Sequence, residues 1–193
     1  MEGTVTAPVV AEEKKGLWLN LGCGKSSVDG YLGVDCIKTD IADVVHDLET
    51  YPWPFAENSA EKVLLVHTLE HIGDHIGFFN ELYRVMQPKG RVLVVGPYYQ
   101  SSGCWQDPTH KRAFNEKLFL YFSKKARESQ GMGADFYPIT CDFEVDGDFH
   151  YKLEPGWKDK PPEQQAFAIK HYNNVVAEML VRLKTVKEGP HAL

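Results

Sequence analysis

Two continuously apolar runs, Lys62-Val63-Leu64-Leu65-Val66 and Arg91-Val92-Leu93-Val94-Val95, bracket a stretch in which Ile76, Phe79, Leu82, Tyr83 and Met86 recur at helical spacing. Asp74 stands where it can cap the start of that helix, and Pro88 and Gly90 follow its end. A strand, a helix and a second strand in this order make a crossover, which joins parallel neighbours in one sheet. Strands without polar alternation need cover on both sides. The pattern therefore predicts an α/β architecture, a mostly parallel sheet with helices on both faces.

Three further short strands precede the crossover. Leu17-Trp18-Leu19-Asn20-Leu21 runs into the turn Gly22-Cys23-Gly24, while Tyr31 to Asp35 and Asp43 to Asp47 each end in an acid. Pro52-Trp53-Pro54-Phe55 is excluded from helix, because each proline disfavours the α region in the residue before it. Later helices are expected near Asn115 to Phe122 and from Pro162 to His171. Asp146-Gly147, between Ile139 to Val145 and Phe149 to Leu153, suits a two-residue turn and predicts an antiparallel hairpin. The β-branched end of the chain predicts a last strand from near Glu178, so the sheet closes with an antiparallel C-terminal element. Residues 1–15 read as a flexible tail and 16–193 as a single domain.

Composition narrows the function classes. The 21 basic and 27 acidic residues leave a net charge of −6, and no Lys or Arg run exceeds two, which disfavours a nucleic-acid partner. No apolar run approaches the ~18 residues needed to span a bilayer, so no membrane association is expected. The N-terminus lacks a basic and apolar leader pattern, and cytoplasmic location is the expectation. The 4 cysteines, Cys23, Cys36, Cys104 and Cys141, form no C-x-x-C pair, so reduced thiols are expected rather than a zinc ribbon. His67, His71 and His75 would line one face of a continuous helix, but Gly73 interrupts it and His67 belongs to a strand end. No metal site is expected from them. Glu70 reads equally as a solvated or a capping carboxylate.

In a parallel α/β sheet, ligands bind outside the carboxyl ends of the strands. There the chain places Gly22 and Gly24 after strand one, Asp35 after strand two, Asp47 after strand three and His67 after strand four. Glycines allow close backbone approach, and an acid at the next strand tip can accept hydrogen bonds from vicinal ribose hydroxyls. The connection from Lys25 to Val34 is too short for a full crossover helix, which argues against a nicotinamide dinucleotide. The stretch Gly96 to Arg112, rich in Gly, Ser and aromatics, is a candidate functional loop.

Leu19-Asn20-Leu21-Gly22-Cys23-Gly24, Val34-Asp35, His46-Asp47-Leu48 and His67-Thr68-Leu69-Glu70-His71-Ile72, with Met86 to Arg91 leading into strand five, carry a resemblance. They resemble the class I S-adenosylmethionine-dependent methyltransferases, which have a Rossmann-like fold. The resemblance implies S-adenosylmethionine as cofactor, contacted by Asn20, Gly22, Cys23, Gly24, Asp35, Cys36, Asp47, Leu48 and His67. The family usually carries an acid where this chain has Asn20 and a third glycine where it has Ser26. Cys104 to Arg112 resembles an Asp-Pro-x-His segment of some members. For a hydroxyl acceptor, His110 is the first choice of general base and His71 the second. Tyr98, Trp105, Asp107 and Arg112 are the candidate substrate-binding residues. The implied activity is methyl transfer to a small-molecule acceptor. The alternative is a non-catalytic S-adenosylmethionine-binding module of the same fold.

Overall fold

In the computed structural model, which describes residues 16–132 and 137–187, Leu17–Leu21 (β1) lies between two parallel neighbours. They are Leu32–Asp35 (β2) and Ala60–Val66 (β4). Val44–Val45 (β3) extends the sheet beyond β2, and Met86–Pro97 (β5) pairs in parallel with β4. Val176–Thr185 (β8) runs antiparallel to β5, and Phe143–Val145 (β6) follows it, giving the order β3-β2-β1-β4-β5-β8-β6. The expected mostly parallel sheet with an antiparallel C-terminal strand is what the chain forms. The proposed tail, residues 1–15, lies outside the described residues.

The expected hairpin is corrected. His150–Leu153 (β7) does not pair with β6; both run antiparallel to β8, with Val145 opposite Leu183 and His150 opposite Leu180. They are two pieces of one edge strand. Gly147, at φ 93°, and Asp146, whose N–H donates to the Arg182 carbonyl at 2.8 Å, form the break between them. The positive φ that suits a tight turn here serves a bulge.

His75–Val85 (α1) is the crossover helix, and the Asp74 carboxylate caps it by accepting the Gly77 N–H at 2.9 Å. It buries Phe78, Phe79, Leu82 and Val85 against alternate strand residues, among them Leu19, Leu21, Val63, Leu65, Val92, Val94, Val181 and Leu183. Ser102–Gln106 (α2) follows β5. Then Glu116–Tyr121 (α3) and Lys124–Ser129 (α4) bring Phe119 and Phe122 onto the same cluster. Phe122 stacks on Phe79 at 3.9 Å between ring centroids. Pro155–Lys158 (α5) and Pro162–His171 (α6) lead into β8.

Helical cover is unequal between the two faces. The intervening strand residues Leu64, Leu93, Val95 and Leu180 are half-buried and stand outside that cluster, and Val66 is 44% exposed. The connections 22–31, 36–43 and 46–59 contain no α-helix. The first two are too short for a helix and its return, and Pro52 and Pro54 interrupt the third.

Candidate active site

The carboxyl end of β1 runs into Gly22, at φ 70°, and Gly24, at φ 53°. A Cβ on Gly22 would stand 2.4 Å from the Thr68 hydroxyl oxygen, whereas one on Gly24 would meet nothing within 4 Å. Gly22 is thus needed for packing, while the backbone at Gly24 is open to a ligand. Across from it, Asp35 at the tip of β2 accepts the Gly24 N–H on Oδ2 at 2.8 Å and the Ile37 N–H on Oδ1 at 2.9 Å. Each carboxylate oxygen keeps a second acceptor site.

The other residues on this side mainly shape the turn. Asn20 is buried and its side-chain amide donates to the Ser26 carbonyl at 3.0 Å, bracing the bend from beneath. Cys23 is buried and Cys36 exposed, and loss of hydration, followed by the nearby Asp35 charge, raises both thiols above the ordinary value. Neither is an activated nucleophile. Asp47 accepts the Glu49 N–H at 2.9 Å, and Leu48 is buried in the core.

A second region, a cavity of about 400 Å³, is lined by His67, Glu70, His71, Asp107, His110 and Glu178 among others. His67 follows β4 in the left-handed region, at φ 52°, which is costly for a residue with a Cβ. Its Nδ1 lies 3.2 Å from Glu70 Oε1 and its Nε2 3.6 Å from Glu178 Oε1. Glu178 also takes Lys152 Nζ at 2.9 Å. His67 therefore belongs to this cavity.

The loop that carries His110 is fastened to the short helical turn Leu69–His71. The backbone N–H groups of Lys111 and Arg112 donate to the Glu70 carbonyl at 2.8 and 3.1 Å, and Arg112 Nε donates to the Gly73 carbonyl at 2.8 Å. Lys111 also pairs with Glu49, and holds that carboxyl below its ordinary range. This docking sets His110 against His71, edge to face, with ring centroids 4.8 Å apart. Asp107 accepts the Thr109 N–H at 2.8 Å and the Thr109 hydroxyl at 2.7 Å, and these bonds keep its carboxyl low.

Hydrogen bonding also fixes which ring nitrogens are bare. His110 Nδ1 faces the Cys104 carbonyl at 2.8 Å, an acceptor only, so that nitrogen carries the proton. Thr109 gives its hydroxyl proton to Asp107, so His71 Nδ1, 3.1 Å from the same oxygen, is the donor there. Both imidazoles are left with Nε2 as the nitrogen bearing the lone pair.

Several sequence candidates fall outside the cavity. Tyr98 is buried, and its hydroxyl donates to Glu116 at 3.0 Å within an aromatic cluster containing Tyr99 and Tyr151. Trp105 is 70% exposed and donates Nε1–H to the Tyr99 carbonyl. Arg112 fastens the loop. His75 is buried on the Leu69 carbonyl, so the His67, His71 and His75 series shares no face. Glu70 is the correction: it is neither solvated nor a helix cap but wholly buried, with Oε2 lacking a hydrogen-bond partner among the described residues. Glu154 and Glu178, which also line the cavity, carry no local sequence signal, because the long-range pairing of β8 with β5 and β7 brings them there. A larger depression of about 720 Å³, around Asn80 and Gln87, lies away from the strand tips that bind ligands in such sheets.

Residues 19–94 match a family model described as a methyltransferase domain. The fold is similar to that of a SAM-dependent methyltransferase from Archaeoglobus fulgidus. That match has a TM-score of 0.60 at 15% identity, over 88% of this chain and 86% of that one. It is also similar to SAM-dependent methyltransferases from Methanosarcina mazei, with a TM-score of 0.52 at 14% identity, over 92% of this chain and 95% of that one. Comparison with curated proteins yields no match.

Proposed function

We propose that this chain is a class I S-adenosylmethionine-dependent methyltransferase, a reading supported by the match of residues 19–94 to a methyltransferase-domain model, and that it methylates a small-molecule acceptor held beside His67, His71 and His110. S-adenosylmethionine supplies a methyl group already activated on sulfonium. The protein has to align donor and acceptor and accept a proton where the acceptor carries one.

The juxtaposition of Gly24 and Asp35 carries this reading. A backbone with open space beside it faces a carboxylate with spare acceptor sites, which suits a nucleoside sugar. Asp47 and Leu48 follow β3 on the flank where an adenine would lie, and Asn20, Cys23 and Cys36 support the turns around it. His110 is the acceptor-side base of first choice and His71 the second, each with a bare Nε2; Asp107 lines the same cavity, while Tyr98, Trp105 and Arg112 hold the loop. The cavity volume of about 400 Å³ and the net charge of −6 favour a small molecule over nucleic acid. Among the described residues no helix is long and apolar enough to cross a membrane. Four free cysteines suit a reducing cytoplasm.

Calorimetry with S-adenosylhomocysteine, followed by mass spectrometry of a panel of hydroxyl and amine acceptors, tests the reading. Binding and a mass gain of one methyl group are expected. Absence of binding at millimolar ligand overturns it, and tight binding without turnover across the panel favours the non-catalytic module.

A further inference from the structure

We infer that Glu70, His71 and His110 form a binding site for one divalent transition-metal ion of the zinc or iron type. One ligand atom from each lies within 4.8 Å of the others. Donors bound at ~2.1 Å in tetrahedral geometry stand about 3.4 Å apart, so binding draws the widest pair together by up to about 1.4 Å, within reach of side-chain rotation.

The protonation pattern supports a cation at this place. Both imidazoles give their Nδ1–H to protein oxygens, His110 to the Cys104 carbonyl and His71 to Thr109. Such bonds orient metal-ligating histidines and leave Nε2 to the ion. The third donor supplies an independent observation. Glu70 is 0% exposed, its Oε1 serves His67, and its Oε2 is buried with no hydrogen-bond partner among the described residues. A buried carboxylate oxygen without a donor is costly, and two bare imidazole nitrogens bring no proton to it. A cation satisfies all three groups at once.

Two imidazoles and a carboxylate are a borderline donor set, suited to zinc or ferrous iron and poorly suited to magnesium. The three ligands leave coordination positions open toward the cavity, whose other acids, Asp107, Glu154 and Glu178, add negative potential. The metal site stands on this geometry alone. Its use in catalysis rests on the proposed methyltransferase reading: an acceptor hydroxyl in an open position loses its proton to solvent more readily, and the imidazoles then act as ligands and not as bases.

Untagged full-length protein, stripped with a chelator, is titrated calorimetrically with Zn²⁺ and Mg²⁺, and with Co²⁺ under visible absorption. One equivalent of Zn²⁺ or Co²⁺ is expected, with visible d–d bands for cobalt and no comparable uptake of Mg²⁺. His71→Ala and His110→Ala should each weaken uptake at least ~10-fold, and His150→Ala, on an exposed strand position, should not. No stoichiometric uptake, or uptake unchanged in both variants, overturns the site. S-adenosylhomocysteine binding by the same samples shows that they are folded. If it persists without metal binding, the metal site fails and the methyltransferase reading survives; if metal binds and S-adenosylhomocysteine does not, the site survives and the methyltransferase reading fails.

Discussion

Gly24 donates its backbone N–H to Asp35 Oδ2 at 2.8 Å, so the bend after β1 and the tip of β2 are fastened to each other by the group proposed to grip the cofactor's sugar. Asp35→Ala removes that brace together with the acceptor. Losing hydrogen bonds to an ionised group costs ~1.5–3 kcal/mol, so S-adenosylhomocysteine affinity should fall about 10- to 100-fold. Asp35→Asn keeps one oxygen acceptor and should lose less. Calorimetry on the three proteins checks the order, and wild-type affinity in Asp35→Ala would move the nucleoside elsewhere.

The two glycines of the same bend separate folding from binding. Gly24→Ala places its Cβ in open space at φ 53°, so the folded protein should lose only ~1–2 kcal/mol of left-handed strain. The new methyl stands where a ligand would approach, and cofactor affinity should drop by more than stability does. Gly22→Ala meets Thr68 at 2.4 Å and should destabilise the protein itself. Denaturant unfolding set beside ligand titration reads both effects. Equal losses of affinity and stability in Gly24→Ala would remove the proposed open approach.

The placement of the proposed cofactor side was legible in the sequence, since Gly22, Gly24, Asp35 and Asp47 all follow short apolar strands whose ends a parallel sheet gathers on one edge. The acceptor side was only half legible. His71 and His110 were separate candidates, and their contact depends on Lys111 and Arg112 docking onto the Glu70 carbonyl, a long-range bond without local pattern. Glu70 looked like a surface acid because nothing nearby announces its burial under β5 and the loop. The Asp146-Gly147 bulge escaped notice for a similar reason. Local dihedral preference allows both a turn and a bulge, and pairing with β8 decides between them.

Phe79 lies at the centre of the aromatic core. It stacks on Phe122 and meets Phe78, Phe119 and Phe143 edge to face, with 0% exposure. Phe79→Ala should cost about 3–5 kcal/mol of stability through lost burial and the cavity left behind. Phe79→Leu refills part of that space and should recover much of the loss. A chemical denaturation midpoint for Phe79→Ala within error of wild type would contradict the packing described.

His75 gives the fold a predictable dependence on acid. Burial pushes its imidazole below the ordinary histidine value, ahead of the Leu69 hydrogen bond that raises it. Nε2 lies 3.1 Å from that carbonyl, so the neutral ring is anchored through Nε2–H. Below the unfolded value of about 6.5, the unfolded chain binds a proton that the folded chain resists. The contribution of His75 is therefore complete above that pH and is lost as pH falls through about 6.5 toward the lower folded value. His75→Gln retains an N–H for Leu69 without titrating, so its unfolding free energy should fall less between pH ~8 and ~5.5 than that of wild type. The other histidines act equally in both proteins, so the difference between the two slopes isolates this one. Parallel slopes in paired urea titrations would show that the ring is protonated as easily folded as unfolded, and that burial at the start of α1 does not govern its charge.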